Sequence, residues 1–147
     1  MPEKTQSRVD KAVEYFNGGA NCAQSVVMAY CDLFGLTVEQ GAAVAAGYGG
    51  GIAGTHGMCG TVNGMIILAG LKFGGGKERA RLYKTVVAML DDFKAVTSTD
   101  NCNALLANVN DLTLPEMIKS DTKEFKRPCA KFVVLSCNII EKRLLIG

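Results

Sequence analysis

Six cysteines carry the chemical interest of this sequence: Cys22, Cys31, Cys59, Cys102, Cys129 and Cys137. Four of them share a setting that two lack. Cys22 follows Asn21 and Cys102 follows Asp100-Asn101, each time a good capping residue just ahead of a helical pattern. Cys129 follows Arg127-Pro128, and proline suits the first position of a helix. Cys59 leaves a glycine-rich loop and enters an apolar helical run. Cys31 and Cys137 fall well inside helical patterns, where a cysteine commonly serves as a small buried hydrophobe. The first turn of a helix offers unpaired N–H groups and the positive end of the macrodipole. Both favour thiolate over thiol, so lowered pKa values are expected at the four positions, with Arg127 adding to the effect at Cys129. Thiols of that kind exchange electrons or ligate metals.

Spacing narrows the choice. Intervals of 37, 43 and 27 residues separate the four, and there is no C-x-x-C. Zinc fingers and ribbons supply paired ligands two to four residues apart, and a thioredoxin-type motif is absent, so both classes are disfavoured. What remains is a site built from four separate helix starts. It would hold two dithiol pairs, an iron–sulfur cluster on four cysteine ligands or another tetrathiolate metal, with Cys22, Cys59, Cys102 and Cys129 as catalytic thiols or as ligands. Gathering positive dipole ends needs an anionic or ligated centre. Cys59 is expected at that centre, because the glycines before it let the backbone reach inward.

The elements that must position these residues are helices. Val9, Ala12, Val13 and Phe16 form one stripe, stopped by Asn17-Gly18-Gly19. A second helix spans about Cys22–Phe34 and ends at Gly35, and a short Ala-rich one lies between Val38 and Ala46. A fourth opens near Cys59 and runs to Phe73. A fifth lies between Gly76 and about Val96, with Leu82, Tyr83, Val86, Val87, Leu90 and Phe93 as its apolar face. A short piece covers Cys102–Leu106, a polar region with Pro115 follows, and a last helix runs from Pro128 to about Leu145. No alternating strand pattern or repeat is visible. The expected fold is all-α: one compact bundle of six or seven helices over residues 1–147, with a Gly-rich central loop and the helices after Cys59 and Pro128 at its centre.

Several segments then resemble a known family. Gly18-Gly19-Ala20-Asn21-Cys22-Ala23-Gln24-Ser25, the Gly49-Gly50-Gly51 loop and Cys59-Gly60-Thr61-Val62-Asn63-Gly64 resemble the C_GCAxxG_C_C family, regarded as redox-active because of its four spread cysteines. The likeness runs from Phe16 to about Cys137, with the motifs in the same order. It implies that Cys22, Cys59, Cys102 and Cys129 are the family cysteines, with Cys137 the other candidate for the fourth. Thr61 stands where the family has alanine. The resemblance implies redox activity and no substrate. Similar domains accompany haem in some bacterial cytochromes, where an iron–sulfur site is suspected; this chain has no C-x-x-C-H for covalent haem.

Other signals weigh less. Gly49-x-Gly51-x-x-Gly54 matches a dinucleotide fingerprint in letters only, since it follows a helix and no acid comes before Glu78. His56, the sole histidine, stands three residues before Cys59 and could ligate a metal or act as base to the thiol, although a loop histidine without such a role is commoner. Met58 and Met65 fit core packing, and Lys77, Arg79, Arg81 and Lys84 fit a solvated helix face. The chain has 147 residues, 48% apolar and 20% charged, with a net charge of +2, which gives no field for nucleic acid. Gln40–Leu71 lacks charge, but its glycines and polar residues argue against a membrane span. MPEKTQSRVD shows no signal peptide. A cytoplasmic protein with reduced thiols is expected, with an unknown redox partner and a plausible homodimer, since so apolar a chain can leave a face to cover. The remaining alternative is a helical interaction module whose cysteines are filler.

Overall fold

The structure, a computed structural model, describes residues 7–115, 118 and 127–145. Seven α-helices and no strand are found among them. They are α1 (Arg8–Asn17), α2 (Cys22–Tyr30), α3 (Val38–Ala45), α4 (Gly60–Phe73), α5 (Arg79–Thr97), α6 (Cys102–Asn108) and α7 (Ala130–Ile140). The charged N-terminal hexapeptide and most of the polar region after Pro115 lie outside the described residues.

Local chemistry sets the starts. Asn21 caps α2 by accepting from the Gln24 N–H at 2.8 Å, while the Gln24 side chain accepts from the Asn21 N–H at 3.1 Å. This reciprocal box satisfies two of the backbone donors a helix start leaves open. Thr37 and Gln40 repeat it on α3. Asn101 caps α6 by accepting from the Ala104 N–H. The amides of Asn21 and Gln24 also donate to Ala46 and Ala42 carbonyls, so the start of α2 is tied to the end of α3.

Helices α2, α4 and α7 form the centre. α2 packs against α1, α3 and α4, and α7 packs against α1, α2, α4 and α5. Val26, Val27, Tyr30, Met65, Leu68, Phe132, Leu135 and Ile140 are fully or almost fully buried there. The α2–α4 crossing is close because Gly64 faces α2: a Cβ at Gly64 would stand 3.1 Å from Val26 Cβ and 3.2 Å from the Ala23 carbonyl. Small residues let helix backbones approach. No helix of the described residues is long and apolar enough to cross a membrane.

Three expectations are adjusted. The helix foreseen to Phe34 ends at Tyr30 and tightens into a 3-10 turn over Cys31–Phe34, closed by Gly35 at φ +89°. The last helix opens at Ala130 rather than at Pro128, with Cys129 as its capping residue, and passes into a π turn over Glu141–Leu145. On α5 only Met89 and Phe93 are buried, while Tyr83 and Val87 are 64% and 55% exposed. The inward stripe runs Leu82, Val86, Met89, Phe93 at helical spacing, which puts Tyr83 and Val87 about 100° round the helix.

Candidate functional site: a four-cysteine pocket

Cys22 and Cys102 are the first residues of α2 and α6, and Cys59 and Cys129 are the capping residues of α4 and α7. All four line one pocket of about 190 Å³, together with Asn21, His56, Thr61, Leu105, Arg127 and Phe132 among others. A site built from four separate helix starts is one possibility in the sequence, and the structure brings all four of these cysteines to the lining of this pocket. Cys31 and Cys137 are buried elsewhere: the Cys31 thiol donates to the Thr37 carbonyl at 3.4 Å, and Cys137 sits beside Tyr30 in the core. Of the two candidates in the last helix, Cys129 is the one in the pocket.

Backbone contacts hold the thiols in register. The loop before α4 is fastened to the start of α6 by two short bonds, from the Cys59 N–H to the Asp100 carbonyl and from the Cys102 N–H to the Gly57 carbonyl, both 2.6 Å. Met58 and Asn101 form an antiparallel bridge between them. Asn63 reaches back and donates to the Met58 carbonyl at 3.1 Å and to that of Cys59 at 3.3 Å. Gly60 places α4 against Cys22, since any Cβ there would collide with the Cys22 sulfur. Gly51, at φ +69°, lies so close to Cys102 that a Cβ would come within 2.8 Å of the cysteine Cβ. Cys129 is anchored through Arg127, whose guanidinium carbon lies 3.5 Å from the centre of the Phe16 ring. Arg127 Nη2 also donates to the Phe16 and Ala20 carbonyls, at 3.3 and 2.8 Å.

At Cys59, Cys102 and Cys129 the electrostatics overturn the expectation of lowered thiol pKa values. Burial, aided by the charge of neighbouring Cys22, pushes Cys59 up to about 11, against a lowering bond from the Thr61 hydroxyl at 3.2 Å. Cys102 and Cys129 are raised as well, first by burial and then by the other thiols, although Arg127 opposes this at Cys129. Desolvation and mutual repulsion therefore outweigh the helix dipoles. Cys22 is the hub of the set: its charge is felt by Cys59, Cys102 and Cys129 alike. Cys59, Cys102 and Cys129 thus hold their protons more firmly than free thiols do.

By donor type the four sulfurs suit a thiophilic metal or an iron–sulfur cluster. Among the described residues, no group of three or more His, Cys, Asp or Glu is gathered as a single metal ion requires. Sequence reasoning missed Asn63, Leu105, Leu106 and Phe132, and read Thr61 only as a departure from a motif. The Asn63 position inside Cys59-Gly60-Thr61-Val62-Asn63-Gly64 was the available signal; the apolar wall had none, because its residues read as ordinary helix core.

The fold and site define an all-α protein built around a pocket of four cysteines from four helix starts. Residues 20–143 match the family described as "Putative redox-active protein (C_GCAxxG_C_C)", and the chain belongs to that family. No protein of curated function and no solved structure matches it significantly.

Proposed function

We propose that this chain is a thiol-redox protein in which Cys22, Cys59, Cys102 and Cys129 act as electron-carrying dithiols. The observation that supports the reading is their convergence on one pocket from four separate elements, while the two remaining cysteines are packed into the core. A pair gives up two electrons and two protons as one S–S bond forms, and an acceptor disulfide takes them up to become two thiols. The site belongs to one domain spanning residues 1–147, and such thiols require a reducing compartment, which favours a cytoplasmic location. The exposed ridge of Tyr83 and Val87 on α5 is the face a homodimer would cover, and sedimentation as a clean monomer at tens of micromolar would remove that part of the reading.

The deciding experiment is anaerobic purification followed by metal analysis, a visible spectrum and controlled oxidation with peptide mapping. Disulfides confined to the four pocket cysteines, with Cys31 and Cys137 still free, are expected. Stoichiometric iron with absorption near about 400 nm would replace this reading with an iron–sulfur module on the same four cysteines.

A further inference from the structure

His56 does not address Cys59, its neighbour in sequence. Its Nδ1 stands 3.7 Å from the sulfur of Cys102 on α6. The placement is built rather than incidental. His56 is held in the left-handed region at φ +61°, which costs a side-chain-bearing residue energy and persists only where the surroundings enforce it. Enforcement comes from the Asn101 amide, which donates to the His56 carbonyl at 3.1 Å, and from the bond between the Gly57 carbonyl and the Cys102 N–H. The residue that caps α6 thus also holds the backbone that carries the imidazole beside the first thiol of that helix. Ile52 and Ala53, earlier in the same loop, also have positive φ, so the whole segment is a strained strap laid over α6.

We propose that His56 is the proton acceptor for Cys102, and that Cys102 is the thiol through which the pocket exchanges with a disulfide substrate. The proposal rests on the dithiol reading. In the first step His56 Nδ1 takes the Cys102 proton while the sulfur attacks one sulfur of the substrate disulfide. The substrate S–S bond breaks, its second sulfur leaves as a thiolate and recovers the proton from the imidazolium, and Cys102 is left in a mixed disulfide. Cys22, which lines the same pocket at the start of α2, then loses its proton to solvent and attacks the Cys102 sulfur. The Cys22–Cys102 disulfide forms and the remaining substrate thiolate takes up a proton from solvent, so two electrons have passed from protein to substrate. His56 is exposed and Cys102 half-buried, whereas Cys59 is 4% exposed, so the strap puts the proton acceptor at the only one of these two thiols that solvent-borne substrate can reach directly. The other charged and titratable groups near the pair are Cys22 on α2, Cys129 and Arg127 at the start of α7, and the Lys94–Asp100 pair, at 3.9 Å, on the approach to α6.

The test is alkylation of Cys102 by iodoacetamide, followed by peptide mapping, in the wild-type chain and in His56→Gly. Glycine adopts φ +61° without strain and keeps the carbonyl that Asn101 binds, so this variant preserves the strap and leaves a gap where the ring was. At about pH 7 the Cys102 rate is expected to fall by about tenfold or more, as the loss of a positioned proton acceptor implies. Added imidazole should restore much of it, and the two chains should converge at alkaline pH, where the thiol ionises unaided. Rescue by imidazole separates a lost proton acceptor from a disturbed loop. An unchanged Cys102 rate, or a fall that imidazole leaves untouched and high pH does not close, overturns the proposal. Failure of the dithiol reading has a different signature: no disulfide among the four cysteines on oxidation, whatever the alkylation rates.

Discussion

The Cα of Gly60 lies directly against the sulfur of Cys22, with the Tyr48 carbonyl on the other side at 2.9 Å from where a Cβ would stand. One contact thus ties the α4 start, and with it Cys59, to the thiol that interacts with all the others. Gly60→Ala should cost about 1–3 kcal/mol, because the backbone carbonyl cannot give way as a flexible side chain can. It should also turn the Cys22 sulfur away and lower the yield of disulfides that include Cys22. Denaturant midpoints and peptide maps measure the two effects. A variant as stable as the wild type with an unchanged disulfide pattern would show that the close approach is not needed.

Thr61 follows Cys59 by two residues, and its hydroxyl bonds the Cys59 sulfur at 3.2 Å. Burial drives Cys59 up to about 11 even with that bond in place. Thr61→Ala should therefore move the alkylation profile of Cys59 to still higher pH, while Thr61→Ser, which keeps the hydroxyl, should leave it close to the wild type. Coincident profiles for all three chains would remove Thr61 from the site.

The helices, and the helix starts that carry Cys22, Cys59, Cys102 and Cys129, were legible in the sequence because both depend on local signals. Apolar spacing showed which face of α1 turns inward, and Asn21 and Asn101 announced the helix starts that carry Cys22 and Cys102. What could not be read was anything set by partners distant in sequence. The dipole argument made the thiols acidic; the desolvation that raises Cys59, Cys102 and Cys129 arises only once elements distant in sequence bury them. His56 was placed beside Cys59 by counting along the chain, whereas the left-handed backbone turns it toward α6, 46 residues away. On α5, an apolar stripe two residues wide was counted as one face, though Tyr83 and Val87 stand exposed beside the edge that meets the core.

Raised thiol pKa values make a statement about stability. The folded chain holds the Cys59 proton up to about 11, while an unfolded thiol, with a reference value of 9.0, releases it earlier. Between those two values the unfolded state binds fewer protons, so stability is full below about pH 9 and falls as pH rises toward about 11. Cys31, Cys102, Cys129 and Cys137 are shifted in the same direction and add to the slope. The fully reduced protein should thus lose urea resistance across this window, and Cys59→Ala should lose less of it. A flat profile for the reduced wild type would contradict the burial of these thiols.

Arg127 does two things at the pocket, and they can be separated. Its guanidinium stacks on Phe16 and donates to the carbonyls of Phe16 and Ala20, which fixes the start of α7 against the end of α1 and the turn before α2. Its charge also opposes the burial that raises Cys129. Arg127→Lys keeps the charge but not the planar fork that stacks and bonds at once. It should cost about 1 kcal/mol, the scale of one cation–π contact with a charge-assisted hydrogen bond at a partly exposed site, while Cys129 retains most of its reactivity. Arg127→Gln should lose the stacking charge as well, so Cys129 alkylation should slow relative to Arg127→Lys at equal pH. Rates that are the same in the two variants would mean that Arg127 acts at Cys129 through position alone. Equal stability in all three chains would mean instead that the α1–α7 joint is held by the apolar contacts of Phe16 without its cation.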